Sequence, residues 1–74
     1  MFTILVINKY DGKPAKDERV SVAFKGWFRG STASKYTDRD GEAHFTEDNG
    51  EGTVYVNGTK RYEGEIAGRI VIYI

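Results

Sequence analysis

The sequence predicts an all-β fold, a small two-layer antiparallel β-sandwich of about seven short strands, with residues 1–74 forming a single domain. Three observations predict it. Apolar and polar residues alternate with a period of two along most of the chain, and no stretch of about a dozen residues carries a 3.6-residue period. β-Branched and aromatic runs are cut at short intervals by Asp-Gly, Asn-Gly and single glycines, the punctuation of sandwiches and barrels. A chain of 74 residues has room for one core only, because proteins of this size bury about 60% of their unfolded surface. A small single-sheet barrel of the SH3 or OB kind is the alternative, and it would demand strong strand curvature.

Strands are expected at about residues 2–8, 19–25, 33–37, 42–46, 52–57, 60–67 and 69–74. The first, "FTILVI", ends at "YDGKP", where Asp11-Gly12 and Pro14 turn the chain. In the second, "VSVAF", Val20, Val22 and Phe24 point one way and Ser21 and Ala23 the other, as in a half-buried strand. A third short strand leads into "DRDG", a tight turn in which Asp38 accepts backbone N–H bonds and Gly41 takes a positive φ. Ala43 and Phe45 then alternate into the core while Glu42 and His44 face out, so the whole segment is expected to serve a hairpin. Asn57-Gly58 suits a type I′ hairpin, whose central residues both need positive φ. The alternative reading of "NGT" as a glycosylation sequon has no sign of a secretory route behind it.

The terminal strands break the alternation. Phe2, Ile4 and Val6 oppose Leu5 and Ile7, and Ile70, Ile72 and Ile74 oppose Val71 and Tyr73, so both strands are apolar on both faces. A two-layer sandwich offers each strand one dry face. Either neighbouring side chains and loops shield the second face, or Leu5, Ile7, Val71 and Tyr73 belong to a homodimer or assembly surface.

Eleven basic and eleven acidic residues cancel, which argues against strong nucleic-acid or anionic-membrane binding. Their distribution is uneven: residues 1–37 hold seven Lys/Arg against three Asp/Glu, whereas residues 38–51 hold six Asp/Glu against Arg39 alone. Solvated turns account for blocks of this size. The opening residues carry about six apolar side chains before Asn8 and no basic region ahead of them, too little for a signal peptide or membrane span, and a cytoplasmic location is the expectation.

Catalytic and ligand chemistry finds no signature. There is no cysteine for a disulfide or thiolate metal site, and the single histidine, His44, has no second imidazole for zinc or a proton relay. No serine stands in a nucleophile-elbow motif, and the carboxylates are turn residues rather than residues of an apolar pocket. Asp38, Asp40 and Gly41 echo the start of a calcium loop but lack its further ligands and flanking helices; only the second acidic turn, "EDNGE", offers an irregular completion. We therefore expect no enzyme, no cofactor and no metal.

The stretch "FKGWFRG" remains. One of its aromatics plugs the open end of the sandwich, or the stretch is a recognition loop, since Trp, Tyr, Phe and Arg dominate binding hot spots and loops on rigid β scaffolds carry function. The candidate binding residues are Lys25, Trp27, Phe28, Arg29 and Tyr36. The partner class expected is another protein or a second copy of the chain. A carbohydrate- or single-strand-binding domain, using Trp27, Phe28 and Tyr36 as stacking platforms beside Lys25, Arg29 and Lys35, is the alternative.

"LVINKYDGKPAKDERVSVAF", "KYTDRDGEAHF" and "GTVYVNG" together resemble the transthyretin-like (prealbumin-like) β-sandwich modules, such as carboxypeptidase regulatory-like and Cna-B-type domains. The resemblance spans about residues 4–58 and rests on Gly12 and Pro14, Val20 and Val22, and Thr37, Asp38, Gly41, Ala43 and Phe45. It implies a sandwich fold; its motifs are turn and core chemistry, diagnostic of fold more than activity, and they assign no function.

Overall fold

The computed structural model describes residues 1–26 and 30–74; the Trp27, Phe28 and Arg29 of the proposed loop lie outside the described residues. Seven strands form in chain order: β1 (Phe2–Ile7), β2 (Arg19–Phe24), β3 (Lys35–Tyr36), β4 (Glu42–Phe45), β5 (Gly50–Val56), β6 (Thr59–Ile66) and β7 (Gly68–Tyr73). They make two sheets, a three-stranded one ordered β4-β1-β7 and a four-stranded one ordered β3-β2-β5-β6. Each sheet keeps its own open edges, so the barrel alternative does not form.

The predicted alternation decides which face is dry. Phe2, Ile4 and Val6 of β1, Ala43 and Phe45 of β4, and Ile70 and Ile72 of β7 face Val20, Val22 and Phe24 of β2, Val54 and Val56 of β5, and Ile66 of β6. Phe2 organises one end of this core: its ring stacks on Phe45 at 5.0 Å and meets Phe24 edge-on at 5.9 Å. Such geometries add to the area the rings bury.

Three expectations need correction. The sandwich is not wholly antiparallel, because β1 and β7 pair in parallel, from Phe2 opposite Gly68 to Ile7 opposite Tyr73. The chain passes from β6 in one sheet to β7 in the other at Ala67-Gly68 instead of folding back on itself, and Gly68 has φ +61° there. The turn at Asp38–Gly41 is a corner between sheets, not a hairpin: β3 pairs with β2 and β4 pairs with β1. The strand expected at 33–37 shrinks to Lys35–Tyr36, since upstream the pairing with β2 resumes out of register as a single bridge of Ala23 to Ser31, where Thr32 N–H donates to Val22 O at 2.8 Å and Thr32 Oγ1 accepts the Val22 N–H at 3.0 Å.

The corner is built from two residues. Asp38 Oδ1 accepts the N–H groups of Asp40 (2.9 Å) and Glu42 (3.0 Å), while Asp38 N–H donates to Glu42 O (2.9 Å). Gly41, at φ +76°, is pressed so closely that a Cβ would stand 2.7 Å from Val6 O and 2.9 Å from Pro14 Cβ. Just upstream, Thr37 is buried and doubly bonded. Its Oγ1 donates to Ala15 O at 2.6 Å and accepts the Glu18 N–H at 2.9 Å, fastening the β1–β2 connection to the start of the corner. At the other end, Asn57 (φ +53°) and Gly58 (φ +81°) make the expected β5–β6 hairpin.

Candidate functional site

The outer face of the three-stranded sheet carries the proposed interface residues. Thr3, Leu5 and Ile7 leave the core side of β1, and register sets them opposite Arg69, Val71 and Tyr73 of β7 and opposite His44 and Glu42 of β4. The face therefore divides along its length. One half is apolar, with Leu5 beside Val71 and Ile7 beside Tyr73; the other is polar, with Thr3, Glu42, His44 and Arg69.

The two terminal strands owe their apolar outer residues to different circumstances. β1 is the central strand, and Leu5 lies between Glu42 and Val71, so its neighbours half-bury it. β7 has a neighbour on one side only. Val71 stays 44% and Tyr73 63% exposed. Shielding by neighbours accounts for β1 and leaves β7 unexplained.

The backbone of β7 points the same way. Ile74 donates its N–H to Ile7 O and accepts the Lys9 N–H, both at 2.9 Å, so the even-numbered residues of β7 bond to β1. By the alternation of a ladder, Arg69, Val71 and Tyr73 direct their N–H and C=O groups outward. The other three edges are blunted. β6 carries Lys60, Arg61, Glu63 and Glu65 and is paired through a register irregularity at Val54/Tyr55. β3 has two residues, and on β4 the Asp38 turn occupies both backbone groups of Glu42. Charges, bulges and short strands are the ordinary means of closing an edge, and among the described residues β7 has only Arg69.

The aromatic–basic set is not gathered by its described members. Lys25 follows the end of β2, where its N–H donates to Glu51 O at 2.9 Å, whereas Tyr36 pairs with Arg19 at the strand's beginning. The six-residue separation corresponds to about 20 Å of extended chain. Tyr36 is 61% exposed. The base of the intervening loop is closed by Phe24 N–H donating to Gly30 O at 2.9 Å.

The polar half of the outer face holds a constellation that sequence reasoning did not assemble. His44 Nε2 lies 3.6 Å from Glu42 Oε1 and 3.9 Å from Asp38 Oδ2. His44 Nδ1 is hydrogen-bonded to Thr3 Oγ1 at 2.9 Å, and Arg69 Nη2 meets Glu42 Oε2 at 2.9 Å. The backbone N–H of Glu42 holds the Asp38 carboxyl below its ordinary range, against partial desolvation, with Asp40 N–H, His44 and Arg39 adding to the effect. The signal was present as D-x-x-x-E-x-H: strand alternation puts positions 42 and 44 on one face, and the corner returns Asp38 to them. Asp40 and the "EDNGE" turn, offered as an oxygen cage with Asp38, do not join this group.

Among the described residues no enclosed pocket forms, and no helix is long and apolar enough to cross a membrane. Comparison with protein-family models, curated proteins and solved structures gives no match to this chain.

Proposed function

We propose that this protein is a non-enzymatic assembly module that pairs with a second copy of itself along β7. The observation that carries the proposal is the open edge of that strand, flanked by the apolar side chains of Val71 and Tyr73. Two β7 strands meeting antiparallel about Val71 set Val71 against Val71 and Arg69 against Tyr73 of the second copy. The outward backbone groups then face one another in narrow pairs, giving about six inter-chain hydrogen bonds. Arg69 gains the face of an aromatic ring, and the Leu5–Ile7–Val71–Tyr73 strip runs on into its counterpart. The transthyretin-like resemblance belongs to the same reading as an account of turns and core, and no activity is taken from it. The Lys25–Gly30 loop is a second contact in this reading on its composition alone.

Sedimentation velocity from about 1 to 200 µM tests it, with hydrogen exchange at both ends of the range. Wild type is expected to dimerise, with exchange at the Val71 and Tyr73 amides slowing as concentration rises. Val71→Lys places a charge on the edge without removing an intra-sheet bond and is expected to remain monomeric and folded. A wild type that is monomeric throughout, or a Val71→Lys variant that dimerises equally well, overturns the proposal.

A further inference from the structure

We infer that Asp38 Oδ2, Glu42 Oε1 and His44 Nε2 form a binding site for a divalent transition-metal ion of the zinc type. The inference is independent of the assembly reading. What carries it is how the three donors are held: each side chain has one polar atom engaged by a separate partner and the other left facing the same point. Asp38 spends Oδ1 on the Asp40 and Glu42 N–H groups, Glu42 spends Oε2 on Arg69, and His44 spends Nδ1 on Thr3. The remaining atoms lie within 4.8 Å of one another. Metal-bound imidazoles characteristically have their second nitrogen fixed by a hydrogen bond, which sets tautomer and ring orientation. With Nε2 on a metal, Nδ1–H donates to Thr3 Oγ1.

The spacing suits a small ion. Zinc bonds of about 2.0–2.1 Å to nitrogen and oxygen imply donor–donor edges of about 3.3–3.4 Å in a tetrahedron. The 3.6 Å and 3.9 Å edges at His44 Nε2 are reached from there by side-chain shifts of a few tenths of an ångström, and the edge between the two carboxylates, which lies within 4.8 Å, closes by up to about 1.4 Å through rotation of the carboxyl groups. Three protein donors leave a fourth position for water. The chemistry also discriminates: one imidazole and two carboxylates suit zinc, whereas calcium asks for about six to eight oxygens and magnesium for near-octahedral oxygen.

The test uses the full chain freed of metal with chelator, followed by proton NMR of the imidazole during Zn²⁺ titration. Because the chain has a single histidine, its ring resonances report on this site alone. Saturable shifts at one ion per chain are expected, with Mg²⁺ and Ca²⁺ producing none at the same concentration. Calorimetry should show His44→Gln and Glu42→Gln each weakening binding by about tenfold or more, with Asp40→Asn near wild type. Thermal melts of the zinc-free variants establish that each is folded. Three results overturn the inference: no shift of the ring resonances up to about 1 mM Zn²⁺, unchanged affinity in His44→Gln, or a loss confined to His44→Gln with Glu42→Gln at wild-type affinity, the behaviour of a lone imidazole.

Discussion

Replacing Thr37 with valine exchanges the hydroxyl of a fully buried side chain for a methyl group, so the cost comes chiefly from two lost hydrogen bonds. Ala15 O loses its 2.6 Å donor and the Glu18 N–H its 2.9 Å acceptor. A buried polar group left unpaired costs about 1–3 kcal/mol. Ala15 is buried, so its carbonyl bears most of that cost; Glu18 is half-buried, and water recovers part of its bond. The expected loss is about 2–3 kcal/mol. With an unfolding entropy of about 2.1 cal/mol/K per residue, a chain of 74 residues loses roughly 6 °C per kcal/mol, so Tm should fall by about 15 °C. Thr37→Ser retains the hydroxyl, loses one methyl and should cost about 1 kcal/mol. Urea unfolding followed by circular dichroism measures both. A Thr37→Val loss under about 0.5 kcal/mol, or Thr37→Ser costing more than Thr37→Val, would refute the view that these bonds, rather than packing, fasten the 15–18 connection.

Gly41→Ala should destabilise by about 3 kcal/mol or more, combining a positive φ with a Cβ forced 2.7 Å from Val6 O; near-wild-type melting would show that the corner yields. Phe45→Ala removes the ring stacked on Phe2 and should cost about 3–5 kcal/mol, enough to leave a chain this small largely unfolded at 37 °C by calorimetry. Asp38 has a folded-state pKa below its ordinary 3.8, so its contribution to stability is complete above that value and is lost as pH falls through the lower one. Asp38→Asn should therefore flatten the acid limb of a Tm-versus-pH profile below about pH 4, and an unchanged limb would assign acid sensitivity elsewhere.

Much of the fold was legible because alternation reports which face of a strand is dry, and turn chemistry reports where the strand stops. The residues of β1, β2 and β4 assigned to the core are buried, and Asn57-Gly58 turns where its φ requirement demanded. Alternation says nothing about which strand lies alongside. "TDRDGEAHF" has the same local pattern in a hairpin as in a corner, and the choice was made by Thr37 bonding to residues 19 and 22 positions earlier. The parallel β1–β7 pair escaped for the same reason. Neither strand contains a local sign of the other, and their pairing follows from both crossing into the same sheet. The polar constellation was hidden differently, since Asp38, Glu42 and His44 each had a sufficient individual role as cap, surface carboxylate and wet-face ring.

The apolar second faces of the terminal strands show how topology turns one sequence observation into two physical statements. Leu5 and Ile7 lie on the strand at the middle of their sheet, where flanking side chains remove much of their surface from water, and apolar residues there need nothing further. Val71 and Tyr73 have the same composition at an edge, where one flank is open and the backbone groups between the side chains point outward. A solvated edge is ordinarily protected by charge or irregularity, and this chain applies both to β6. An edge strand reading "IVIYI" beside one defended by Lys60, Arg61, Glu63 and Glu65 is the reverse of what a persistently monomeric protein requires. The asymmetry between those two edges, rather than total apolar area, is the reason to look for a second strand against β7.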